Sequence, residues 1–157
     1  MADEAEPDLI AAHRHFSTHC FNLAWELMEK KDRSADDDEQ LIRLVHASLW
    51  HWSQRTDCSN RNLSIGYWQA SRAYVLIGQT ESARRYAKLC LKSTPPDDEF
   101  CLGYACEAMA RAELLANNRP TAEEFLTLAR RHCDNVADAE SRQSLLSDLE
   151  SLGHSHQ

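Results

Sequence analysis

At 157 residues, 43% of them hydrophobic, with only four glycines and four prolines, the chain has the composition of one helical domain with a real core. Its formal charge of −8, from 17 Lys and Arg against 25 Asp and Glu, has the wrong sign for a protein that coats nucleic acid or an anionic membrane. No stretch of about 18 uncharged apolar residues is present to cross a bilayer, and the acidic start from Met1 to Asp8 lacks the apolar run of a signal peptide, so the expected location is cytoplasmic.

Apolar spacing predicts an all-α chain of about seven antiparallel helices between residues 8 and 152, with breaks near 32–36, 57–62, 78–80, 94–98, 117–120 and 134–137. The first helix, from about Pro7 to Lys31, places Leu9, His13, Phe16, Cys20, Ala24 and Leu27 on one stripe. Ser34 followed by Asp37 reads as a capping box, and the acids from Asp36 to Glu39 suit the positive end of a helix dipole. The second helix then turns Leu41, Val45, Ser48, Leu49 and Trp52 inward.

Ser59, Asn60 and Asn62 are candidate N-caps for a third helix carrying Leu63, Tyr67, Ala70, Tyr74 and Ile77, which Gly78 closes. The fourth helix uses Ala83, Tyr86 and Cys90 and stops before Pro95-Pro96. In the fifth, Cys101, Ala105, Ala108, Ala112 and Leu115 form a stripe of mostly small side chains, which lets backbones approach closely. Asn117-Asn118 ends it, Pro120 fits the first turn of the sixth, and Ala122, Phe125, Ala129 and His132 follow. The last helix, from about Val136 to Leu152, sets Leu145, Leu149 and Leu152 on one face, as a terminal cap would. The domain expected is therefore 1–152, with 153–157 as a disordered tail. The six cysteines form no Cys-x-x-Cys pair and are expected as free, mostly buried thiols.

Two neighbouring stretches repeat at a fixed offset of 39 residues: Tyr67–Leu91 lies over Cys106–Arg130 without a gap. Arg72 falls on Arg111, Leu76 on Leu115, Ala83 on Ala122, Tyr86 on Phe125 and Leu89 on Leu128. Fixed-period self-similarity of a helix–turn–helix unit marks a helical repeat array. From Ser64 the first unit resembles a tetratricopeptide repeat: Tyr67 and Tyr74 stand at its aromatic positions, Ala83 at its small crossing position and Pro95 at its terminal proline. Ser71 stands at the usual glycine and Ala87 at a usually bulky site. The second unit keeps Ala110, Ala122 and Ala129 but has Glu113 for an aromatic and Asp134 for the proline. Repeat-like units are thus expected at about 64–97 and 103–134, and the chain resembles uncharacterised bacterial members of that family, from which no activity carries over.

The resemblance implies recognition of a protein or peptide through a right-handed array whose inner helices line a groove. The groove positions are Ile65, Trp68, Arg72 and Val75 in the first unit and Tyr104, Glu107, Arg111 and Leu114 in the second. Arginine forks match carboxylates and aromatics supply stacking area, so Trp68, Arg72, Tyr104, Glu107 and Arg111 are the expected partner-binding residues, facing an acidic segment or a chain-terminal carboxylate. A binder of this kind needs both arginines exposed; the bland alternative is that they pair with Glu107.

The other reading is a small helical enzyme using the N-terminal half, which holds Trp25, Trp50, Trp52 and Trp68 among His13, His15, His19, His46 and His51. His15 and His19 have the i, i+4 spacing able to ligate a metal, with His46 or His51 as a conceivable third ligand, although no His-Glu-x-x-His pattern is present and the expectation is no metal. Arg14 and His19 have the Arg-x-x-x-x-His spacing of a ribonuclease motif, a short match that arises easily by chance. No glycine-rich phosphate loop, nucleophile elbow or catalytic triad is readable, so neither a cofactor nor a catalytic residue is expected.

Overall fold

A computed structural model describes residues 8–154, which form seven α-helices and no strand. They are α1 (Leu9–Glu29), α2 (Ala35–Ser53), α3 (Asn60–Leu76), α4 (Thr80–Ser93), α5 (Glu99–Leu115), α6 (Arg119–Asp134) and α7 (Ala139–His154). No helix among the described residues is long and apolar enough to cross a membrane. The chain divides into two compact units, Met1–Cys58 and Ser59–Gln157.

The first unit is the α1–α2 hairpin. Asp8 caps α1 by accepting from the Ala11 amide at 3.0 Å. Ser34 and Asp37 make both halves of the expected capping box, at 3.1 and 2.8 Å. The Lys30 ammonium, 2.6 Å from Asp37, holds that carboxyl down at about 2. The two helices meet at small residues: the Ser48 hydroxyl donates to the Ser17 carbonyl at 2.7 Å, both side chains being buried. That crossing corrects one expectation. The buried stripe of α1 is Ser17, Cys20, Ala24 and Met28, so Phe16 and Leu9 point outward. A phenylalanine could not sit where the two backbones approach so closely.

In the second unit, α3–α4 and α5–α6 are built on one backbone plan. Both α3 and α5 are 17 residues long, and their first residues, Asn60 and Glu99, stand 39 apart, as do Thr80 and Arg119 at the starts of α4 and α6. Ser59 caps α3 through a reciprocal box with Asn62, and Asp98 caps α5 by accepting from the Cys101 amide at 3.0 Å. Each first helix ends in a left-handed residue, Gly78 at φ 75° and Asn117 at φ 57°. The Gln79 amide reaches back to the Tyr74 carbonyl, and the Asn118 amide to the Glu113 carbonyl, both at 2.9 Å. This closure satisfies carbonyls that a helix end otherwise leaves bare.

Helix α5 is the centre of the unit and is buried nearly all round, as its run of alanines permits. Ala83 and Ala112 are both fully enclosed and share one cluster with Ala87, Ala108 and Met109, the close crossing expected of them. On the other flank Leu145, Leu149 and Leu152 of α7 cover Cys106, Ala110, Leu126, Ala129 and Cys133. Full burial of a leucine side chain contributes roughly 1.5–3 kcal/mol, so α7 works as an apolar lid. It lies so close to α5 that a Cβ on Gly103 would strike the Leu145 side chain. Helix α7 runs on through His154, past its expected end at Leu152; the rest of the tail lies outside the described residues.

All six cysteines are free and five are buried, Cys58 being half-buried. Burial pushes the Cys90 and Cys101 thiols up to about 12 and Cys106 up to about 11, so these sulfurs are packing groups rather than nucleophiles.

Candidate functional site

The five residues singled out from the sequence come together between α3 and α5. Trp68 and Glu107 occupy the same position of successive helix pairs, and the indole Nε1 donates to Glu107 Oε2 at 2.8 Å. Arg72, one turn further along α3, donates through Nη1 to Glu107 Oε1 at 3.3 Å. Arg111, one turn further along α5, donates through Nε to that same oxygen. A carboxylate with 0% exposure therefore collects three donors and two positive charges. Removing a carboxylate from water costs several kcal/mol, and a set of partners this complete offsets that cost. Beside it the Trp68 and Tyr104 rings meet edge to face with centroids 5.5 Å apart.

The arginines are not equally placed. The Arg72 side chain is 26% exposed and Arg111 only 12%, so neither stands in the open position expected of it, and both pair with Glu107. Its i, i+4 spacing from Glu107 draws it along α5 into the ion pair. Arg111 Nη2 is buried with no hydrogen-bond partner. Burial, and then the Arg111 charge beside it, pull the Arg72 guanidinium below the usual arginine range. Of the remaining groove positions, Val75 packs with the Ala83–Ala112 cluster and Leu114 with the α7 leucines.

Helix α7 adds a residue that no motif or spacing singles out. The Tyr104 hydroxyl donates to Asp148 Oδ2 at 2.7 Å, and burial, followed by that bond, pushes the phenol well above its ordinary value. Asp148 thus anchors Tyr104 and brings a second carboxylate near the arginine pair. Its only sequence signal is an acid on the polar side of the capping helix, which many surface acids share.

No protein-family model, curated protein or solved structure matches the chain. A second buried acid, Glu113, stands where the resembled family has an aromatic. Arg84 grips it with Nε and Nη2 at 2.9 and 2.8 Å, and the Asn118 amide donates to it at 2.7 Å. The Arg84 fork, first among its neighbours, holds the Glu113 carboxyl below the usual glutamate range.

The histidines of the first unit sort differently from the metal alternative. His15 and His19 stack at the surface with ring centroids 5.1 Å apart. His51 and His13 share a hydrogen bond between their Nδ1 atoms at 2.9 Å. Among the described residues no three His, Cys, Asp or Glu side chains gather as ligands for one ion, so the set of His15, His19 and His46 does not assemble. Burial, then the His13 charge, hold His51 below the ordinary histidine value. Trp50, 56% exposed, meets both His13 and His51 edge to face.

Proposed function

We propose that this chain is a protein- or peptide-binding module on a tetratricopeptide-like helical repeat, and that Trp68, Arg72, Tyr104, Glu107 and Arg111 form its carboxylate-reading surface. The observation that carries this reading is the convergence of Arg72 and Arg111, equivalent residues of successive helix pairs, on the single carboxylate of Glu107. Two guanidinium groups hold far more N–H donors than one carboxylate can take, and Arg111 Nη2 already lacks a partner. A buried donor left unmade costs about 1–3 kcal/mol, which an incoming oxygen would recover. Arg72 supplies the solvent-facing contact, while Glu107 and Arg111 hold it in place.

An exposed ion pair alone is worth at most about 1 kcal/mol. Affinity in this reading comes from desolvation of the pair against Trp68 and the Asp148-anchored Tyr104. The overall charge of −8 opposes long-range approach of an acidic partner, so recognition rests on short-range geometry. The constant offset of 39 between helix starts, and the matching left-handed turns at Gly78 and Asn117, favour the repeat reading.

Calorimetric titration of short peptides ending in a free carboxylate, against the same peptides amidated, tests the reading. We expect the free acid to bind about tenfold more tightly, a difference of about 1.4 kcal/mol, and Arg72→Met to abolish the preference. Equal affinity for both ends in the parent protein would refute it. The enzymatic alternative has thinner support, since the recess beside His13 and Arg55 holds only about 80 Å³.

A further inference from the structure

Helix α4 carries a charge pattern that the Arg72–Arg111 site does not use. Arg84, Arg85, Lys88 and Lys92 line an open groove of about 670 Å³ with Glu81, Leu89, Glu113 and Asn118. Arg84 is spoken for, being locked onto Glu113. Arg85, Lys88 and Lys92 are exposed, and among the described residues none of them has a carboxylate within ion-pair distance. On a chain with 25 acids against 17 bases, three neighbouring cations outside any ion pair are a local exception, although the Lys88 charge still acts on Glu113. Nor does the shared backbone plan require them. Thirty-nine residues on, α6 has Glu124 and Thr127 in place of Arg85 and Lys88, and only Arg131 keeps a cation, at the position of Lys92.

We propose that this α4 groove docks an acidic amphipathic helix of a partner protein. Arg85, Lys88 and Lys92 follow i, i+3, i+7 spacing, a straight stripe about 10 Å long at 1.5 Å per residue. A partner helix with glutamates at i, i+4 and i+7 presents a matching stripe when laid antiparallel. The half-buried Leu89 beside the stripe offers an apolar strip for its hydrophobic edge. The Arg84–Glu113–Asn118 lock fixes the floor, so little ordering is required on binding. A nucleic-acid backbone suits the groove less well. Three cations neutralise few phosphates, and affinity for DNA grows with the number neutralised.

The test is fluorescence anisotropy with a labelled helical peptide carrying three glutamates on one face beside leucines, and with its lysine-swapped counterpart. The triple variant Arg85→Glu, Lys88→Glu and Lys92→Glu keeps good helix formers throughout. It should lose at least about tenfold in affinity for the acidic peptide and gain affinity for the lysine peptide. The milder pair Lys88→Gln with Lys92→Gln should lose about threefold, while Arg72→Met should bind the acidic peptide as the parent does when that peptide is amidated at its C-terminus and so lacks the carboxylate proposed for the Arg72 site. The proposal is overturned if the parent binds no acidic peptide at low salt, or if the triple variant binds it unchanged. It is equally overturned if the loss follows Arg72→Met instead, or if a single-stranded oligonucleotide of equal charge binds this face more tightly.

Discussion

The helix pairs α3–α4 and α5–α6 share helix starts, turn closures and a left-handed residue at the same register, yet they fill their interiors with different chemistry. In the first pair Tyr74 stacks on Tyr86 with ring planes 8° apart. In the second, the residue at the Tyr74 position is Glu113, and it is tied to Arg84 and Asn118. One backbone plan thus carries either an aromatic stack or a buried ion pair. What it demands is small residues at the crossings, Ala83 and Ala112, and a turn residue that tolerates positive φ. Polar residues are free to vary around that frame.

The largest effect should come from Glu107, which joins the two pairs. Glu107→Ala leaves Arg111 buried without its counter-charge and should cost about 3–5 kcal/mol, read from the denaturant midpoint. A small change would mean that the arginines reach water and that the pairs are not coupled through this carboxylate. Next come the crossings. Ala83→Leu and Ala112→Leu should each overpack the shared cluster, costing about 1–3 kcal/mol.

The turns offer a sharper comparison. A methyl on Gly78 meets nothing within 4 Å, so Gly78→Ala carries only the backbone penalty of φ 75°, about 1–2 kcal/mol. Asn117 already tolerates the same conformation, and Asn117→Gly should change stability by less than about 0.5 kcal/mol. If the two variants behave alike, the turns are not equivalent. The smallest effect expected is in pH dependence. Glu113 titrates below its ordinary 4.5 in the folded protein, so its contribution is present above that value and fades as acid carries the pH down through the depressed one. Urea midpoints measured on both sides of that window should fall for the parent and fall less for Glu113→Gln.

Much of this frame is legible in the sequence because it is local. Capping pairs such as Ser34 with Asp37, punctuation at Gly78 and Asn117, and three-and-four spacing act within one or two turns of chain. The constant offset placed Arg72 and Arg111 in register, and Trp68 with Glu107. What escaped depends on which side chains meet across helices. Phe16 lies on the periodic stripe of α1, but the Ser17–Ser48 crossing rotates the buried face past it. Glu113 reads as a flaw in a repeat until Arg84, on another helix, is seen to hold it. Asp148 is one acid among 25, and only the packing of α7 selects it.

The central claim, that Arg72 and Arg111 share Glu107 and still have donors to offer a carboxylate, is tested most directly by NMR of protein labelled with ¹⁵N at arginine. The account predicts a slowly exchanging Arg111 Nε–H in the free protein. Titration with a peptide bearing a free C-terminal carboxylate should shift the Arg72 and Arg111 side-chain signals together, and the amidated peptide should not. If the free-acid peptide binds while both arginine signals stay where they were, the carboxylate is read elsewhere and the claim is contradicted.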